Sequence, residues 1–149
     1  MPAAAPAPAG RAATPRFWDT AAVGGAFDVR VCETQQCLDL EDVLAAATAS
    51  RSRARRYMTE WRRRRQVANV FTDVSAGEDE RRVHWSPAGR LGKGTKPRVV
   101  VSPQACVRVL QCVAVTGRGV APGVLLALVD MEDGRCGVAG AAAQPACTS

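Results

Sequence analysis

One histidine stands in a chain of 149 residues, and Trp, Tyr and Phe together make up only 5% of it. That histidine, His84, has no nucleophile and no carboxylate pair tied to it by spacing, so no acid–base or nucleophilic centre can be read. The stretch GRLGKGTKP lacks the four-residue gap between a first glycine and a Gly-Lys-Ser/Thr that a nucleotide-cradling loop needs. The sequence therefore predicts a protein that is not an enzyme. No run approaches the roughly 20 apolar residues of a bilayer-spanning helix. The opening MPAAAPAPAGRAATPR has no apolar segment of the secretory kind, which predicts an intracellular protein. Six cysteines are present (Cys32, Cys37, Cys106, Cys112, Cys136 and Cys147), but they lack the matched tight pairs of structural zinc sites. Without a secretory segment disulfides are not expected, so the thiols read as ordinary buried side chains. No metal or other cofactor is expected.

What the sequence does have is arginine in one place. Residues 51–65 read RSRARRYMTEWRRRR, with eight arginines against the single acid Glu60. This surplus of seven accounts for the whole net charge of +6. Ala54, Tyr57, Met58 and Trp61 follow the i, i+3, i+4, i+7 spacing of one helix face, so most of the arginines must point away from it. Arginine on successive turns without interleaved glutamate repels rather than pairs, which makes a merely solvated helix a poor reading. A concentrated basic stripe points to a polyanion, nucleic acid above all.

The rest of the chain frames that helix. Residues 1–16 are Ala/Pro-rich and read as a disordered tail. A single domain is expected over residues 17–132, with a core of Val, Leu and a handful of aromatics, and a second tail over 133–149. Phe17 and Trp18 would pin its start. Residues 26–32 alternate, with Phe27, Val29 and Val31 on one side of a short strand, and residues 33–37 turn the chain. Leu40, Val43, Leu44 and Ala47 have helical spacing, with Asp39 as cap and Asp42 in the first turn. Ser50 or Ser52 would cap the arginine helix. A further short helix is expected over residues 66–75, with Val67, Val70, Phe71 and Val74 inward, which would complete a helix-turn-helix-like arrangement. Residues 81–85 and 98–101 read as a β-hairpin whose long basic loop forms a wing. Ser102-Pro103 opens a helix with Cys106, Val109, Leu110 and Val113 inward. Residues 122–131 could be helix or strand, and Pro122 favours helix.

The expected fold class is thus α+β, with helix-turn-helix-like helices and a β-hairpin wing. Arg53, Arg55, Arg56, Arg62, Arg63, Arg64 and Arg65 from the helix are the expected phosphate contacts, with Arg90, Lys93, Lys96 and Arg98 from the wing. Arginine grips phosphate bidentately and can also read guanine edges. Double-stranded DNA is the expected partner. Duplex RNA and an acidic host protein are the alternatives.

From residue 28 to about 130 the chain resembles the KilA-N domain, a DNA-binding module of large DNA viruses and phages. The residues that carry the likeness are Tyr57…Trp61-Arg62 at a helix end, the short run Val67 to Val74, the Gly92-x-Gly94-Thr95 turn before an apolar strand, and Ser102-Pro103 opening a helix. It departs from the family pattern at Leu38-Asp39-Leu40-Glu41, at Lys96 and at Gln111-Cys112-Val113. The resemblance implies a compact α+β fold related to APSES domains, DNA binding without enzymatic activity, and a viral source. It also implies work in the host cytoplasm if poxvirus-like, or otherwise in the nucleus. No RING domain is read in this sequence, so ubiquitin-ligase activity is not expected.

Overall fold

The computed structural model describes residues 13–74, 80–86, 96–134 and 137–138. Its class is α+β: four α-helices and one five-stranded antiparallel sheet. In chain order these are β1 (Arg16–Trp18), a 3₁₀ turn (Thr20–Val23), β2 (Val29–Cys32), β3 (Cys37–Asp39), α1 (Leu40–Thr48) and α2 (Arg51–Arg63). Then follow β4 (Arg81–His84), β5 (Pro97–Val101), α3 (Pro103–Val115) and α4 (Pro122–Glu132).

Local chemistry explains the helix boundaries. Asp39 accepts a hydrogen bond from the Asp42 N–H and starts α1; Ser50 does the same for Arg53 and α2, and Ser102 for Ala105 and α3. Pro103 and Pro122 occupy first-turn positions of α3 and α4, where a missing N–H costs nothing. Ala49, in the left-handed conformation at φ 58°, ends α1 and turns the chain straight into α2.

The strand order is β1-β2-β3-β5-β4, so the hairpin β4–β5 is not a free wing but the flank of a larger sheet. Its register, Arg81 opposite Val100 and His84 opposite Pro97, agrees with the expected pairing, and Leu38 then pairs with Val101 to join it to β3. One sheet face carries Trp18, Val29, Val31, Leu38, Val99 and Val101 into the main core with α1, α3 and α4. The other face holds a small cluster of Cys37, Val83 and Val100, covered by Ala13 and Trp85. Ala13 forms a parallel bridge with Trp85, its N–H donating to the His84 carbonyl and its carbonyl accepting from the Ser86 N–H, so the segment before β1 covers the outer edge of β4.

Several expectations change. The helix expected over residues 66–75 is not formed; residues 64–66 and 70–73 are turns, and Val67 is 46% exposed rather than inward. Phe71 and Val74 are buried as expected, but from irregular chain held by the Asn69 side chain, which accepts from the Phe71 N–H. The helix-turn-helix-like arrangement is therefore absent, and the consecutive pair is α1 with α2. Strands β1 and β3, each three residues long, are additional to the expected elements. Order reaches into both expected tails, since Ala13 bridges Trp85 and Val138 is buried against the core. Phe17 is 48% exposed while Trp18 is fully buried, because neighbours on a strand face opposite ways.

Candidate nucleic-acid interface

Helix α2 is held from beneath by aromatic packing. Phe71 meets the rings of Tyr57 and Trp61 edge-on, each with centroids 5.8 Å apart, the arrangement that ring quadrupoles favour. The Asn69 side chain donates to the Glu60 carbonyl at 2.8 Å. At the N-terminus the Arg51 guanidinium lies 4.7 Å from the Phe27 ring centroid and donates to Asp42 at 2.7 Å. A cation in the first turn opposes the helix dipole, and the Asp42 carboxylate offsets it.

The arginines divide into two kinds. Arg53, Arg55, Arg56, Arg62, Arg63 and Arg65 are exposed, and none makes an ion pair among the described residues. Arg64 is different. Only 8% exposed, it stacks 3.7 Å above the Trp61 ring, donates to the Trp61 carbonyl at 2.7 Å and to Glu80 at 3.3 Å. The Trp61 indole donates to the same Glu80 oxygen at 2.9 Å. Burial lowers the Arg64 pKa from its ordinary value, with Arg65 adding to that and Glu80 opposing it. Arg64 thus locks the end of α2 to the start of β4, and its fork is turned inward rather than toward a partner.

Arg98 is likewise an internal residue. Its guanidinium donates to Asp39 at 2.9 and 3.1 Å, to Glu41 at 3.4 Å and to Asp42 at 3.3 Å. Burial works against its charge, but the bonds and charge of Asp39, followed by Glu41 and Asp42, raise its pKa overall. The same carboxylates bind Arg30 and Arg51, and the Trp85 indole donates to Asp39 at 3.0 Å. Asp42, with a side chain 1% exposed, also accepts from the Arg30 backbone N–H at 3.1 Å. Its pKa is raised by burial first and by the charge of Asp39 second, against the pull of Arg51 and Arg30.

Several grooves open beside α2, and two of them gather arginines. One, of about 330 Å³, is lined by Arg53, Arg56, Tyr57, Glu60, Val70, and Thr116 to Arg118. The other, of about 350 Å³ at the C-terminal end, holds Arg62, Arg65, Gln66 and Arg82 over Trp61, Arg64 and Glu80. Arg118 and Arg82 are not among the contacts expected from sequence, because both are distant from α2 along the chain and only the fold brings them beside it. Arg82 lies 3.7 Å from Glu80 but keeps 57% of its side chain exposed. Lys96 is exposed at the loop end of the hairpin, next to Pro97 opposite His84, while the opposite end of β4 touches α2. Lys96 does not line the grooves at Arg53 and Arg62 described above. Arg90 and Lys93 lie outside the described residues.

No helix among the described residues is long and apolar enough to cross a membrane. Comparison with protein-family models, with curated proteins and with solved structures finds no match for this chain.

Proposed function

We propose that this is a non-enzymatic DNA-binding protein that holds duplex DNA through the exposed side of α2, with Arg118 and Arg82 as flanking contacts. The observation that carries the reading is the set of six exposed helix and helix-end arginines that no carboxylate pairs among the described residues, on a helix fixed from below. Six unpaired like charges on about four turns repel one another, and a phosphate backbone relieves that repulsion while gaining bidentate contacts. The resemblance to the KilA-N domain supports the same partner through the order of arginine helix, hairpin and Ser102-capped helix. The second short helix that it implies is not part of the support. On this reading the protein works inside an infected cell, where viral or host DNA is held.

Fluorescence anisotropy with a labelled duplex across a salt series tests the proposal. If about six phosphates are neutralised, log K falls against log salt with a slope near −5, and affinity drops roughly a thousandfold between 50 and 200 mM salt. A slope shallower than about −2, or no binding at the low-salt end, would overturn it.

A further inference from the structure

The arginines around α2 are not equivalent in direction, and their arrangement says where on a duplex the helix sits. This step rests on the DNA-binding reading above. At about 100° per residue, Arg56 and Arg63 stand within about 30° of the direction opposite the buried stripe of Ala54, Tyr57, Met58 and Trp61. Arg53 and Arg62 lie about 90° from that ridge, on opposite sides. Each flank is reinforced from another element: Arg53 by Arg118 after α3, and Arg62 by Arg65 and by Arg82 of β4. Arg53 and Arg62 thus stand on opposite sides of a helix whose diameter with side chains, about 10–12 Å, matches the roughly 12 Å width of the major groove of B-form DNA.

A helix lying in a major groove turns its outer ridge to base edges and its two flanks to the two phosphate chains. We infer that α2 enters the major groove of B-form DNA, with Arg56 and Arg63 reading guanine O6 and N7 and the flanking arginines gripping the opposite backbones. The ridge between the two readers carries small side chains only. Thr59 lies there, and its hydroxyl is turned back to the Arg55 carbonyl at 3.2 Å. Arg56 and Arg63 are two turns apart, roughly 10 Å, which spans about three base-pair steps of 3.4 Å. The guanines read are therefore about three base pairs apart. The deep, narrow major groove of A-form RNA does not admit a helix in this way.

The test uses the full chain and three duplexes of one sequence with guanines at that spacing. One is ordinary DNA, one is DNA with 7-deazaguanine in place of guanine, and one is RNA. 7-Deazaguanine removes the N7 acceptor and leaves the phosphates untouched. Wild type is expected to bind the 7-deaza duplex at least about fivefold more weakly than ordinary DNA, the lower end of what one bidentate arginine–guanine pair discriminates. The RNA duplex should bind more weakly than DNA. Arg56→Lys/Arg63→Lys keeps both charges but loses the planar fork, so it should bind ordinary DNA more weakly and narrow the ratio between the two DNA duplexes. Arg53→Ala/Arg118→Ala should weaken both DNA duplexes by the same factor and keep their ratio. Both double variants alter exposed side chains, and circular dichroism confirms their folding. Wild type binding the two DNA duplexes equally, or binding RNA as tightly as DNA, overturns the major-groove inference and leaves DNA binding standing. No binding to any duplex at low salt overturns the DNA-binding reading itself.

Discussion

Arg63 and Arg64 are neighbours in sequence, and truncating them to alanine should give opposite results. The Arg64 side chain is 7% exposed and has three partners: the Trp61 ring at 3.7 Å, the Trp61 carbonyl at 2.7 Å and Glu80 at 3.3 Å. Its removal leaves Glu80 facing the Trp61 indole and a loosely placed Arg82 at 3.7 Å. Breaking a buried ion pair typically costs 3–5 kcal/mol, and the retained indole bond sets the estimate at the low end, about 3 kcal/mol. That is a large share of the roughly 5–15 kcal/mol that holds a domain together, and it lowers the thermal midpoint by about 10 °C. Arg63 is exposed and unpaired among the described residues, so Arg63→Ala changes stability by no more than about 0.5 kcal/mol. It should weaken duplex binding by roughly tenfold, the worth of one charge-assisted contact. Urea unfolding followed by circular dichroism reads the first effect, and anisotropy at a temperature where both variants are folded reads the second. If Arg64→Ala costs less than about 1 kcal/mol, the assignment of Arg64 to the fold is wrong. An Arg64→Ala loss of affinity equal to that of Arg63→Ala, without loss of stability, would refute it as well.

Four further outcomes follow from groups packed inside the fold. Asp42→Ala leaves the Arg30 N–H and three guanidiniums short of an acceptor and should cost about 3–5 kcal/mol in the same urea assay, whereas a near-neutral result would mean that the network is not formed. The Asp42 carboxyl has a folded-state pKa raised above 3.8, so above that pH the folded chain holds a proton that the unfolded chain has released. Its contribution to stability therefore falls as pH rises through this window, and the stability difference between wild type and Asp42→Asn should shrink as pH climbs from 3.8; a widening gap would reverse the assignment. A Cβ at Gly123 would collide with the Val23 carbonyl, a backbone atom, so Gly123→Ala must push the 3₁₀ turn off α4 and lower stability by roughly 1–3 kcal/mol on thermal unfolding. Burial raises the Cys106 thiol far above its ordinary pKa, so alkylation of the folded protein, followed by mass spectrometry, should leave Cys106 unmodified until urea is added.

The parts of the fold legible in sequence are those written in local chemistry. Asp39, Ser50 and Ser102 announce helix starts by accepting from backbone N–H groups three residues on, and the Tyr57–Met58–Trp61 stripe reports its buried face by periodicity alone. Strand β3 was hidden because Cys37–Asp39 is only three residues long and runs directly into the helix that Asp39 caps. The residues 66–75 carry apolar spacing that fits a helix, yet Asn69 and Thr72 hydrogen-bond the local backbone and hold turns instead. For the candidate site, charge was visible but its use was not. Helical phase sets Arg64, three residues after Trp61, nearer the buried stripe than Arg63, and Glu80, which arrives from beyond the end of α2, then holds it inward. Arg98 is drawn inward by acids some sixty residues earlier in the chain that only sheet pairing brings near.

The pairing of Leu38 with Val101 has a consequence for how the chain reaches this state. The two central strands are neighbours, yet α1, the arginine helix and β4 all lie between them in sequence, so β3 and β5 meet only after a loop of about 60 residues is closed, an entropic cost of roughly 3–4 kcal/mol. That loop carries most of the chain's positive charge, and folding draws it together. A polyanion that binds the folded arm stabilises the whole sheet by mass action, in proportion to the logarithm of its concentration over its Kd. The central sheet is then most secure when the arginine helix is occupied, and proteolytic survival of the chain becomes a readout of its ligand.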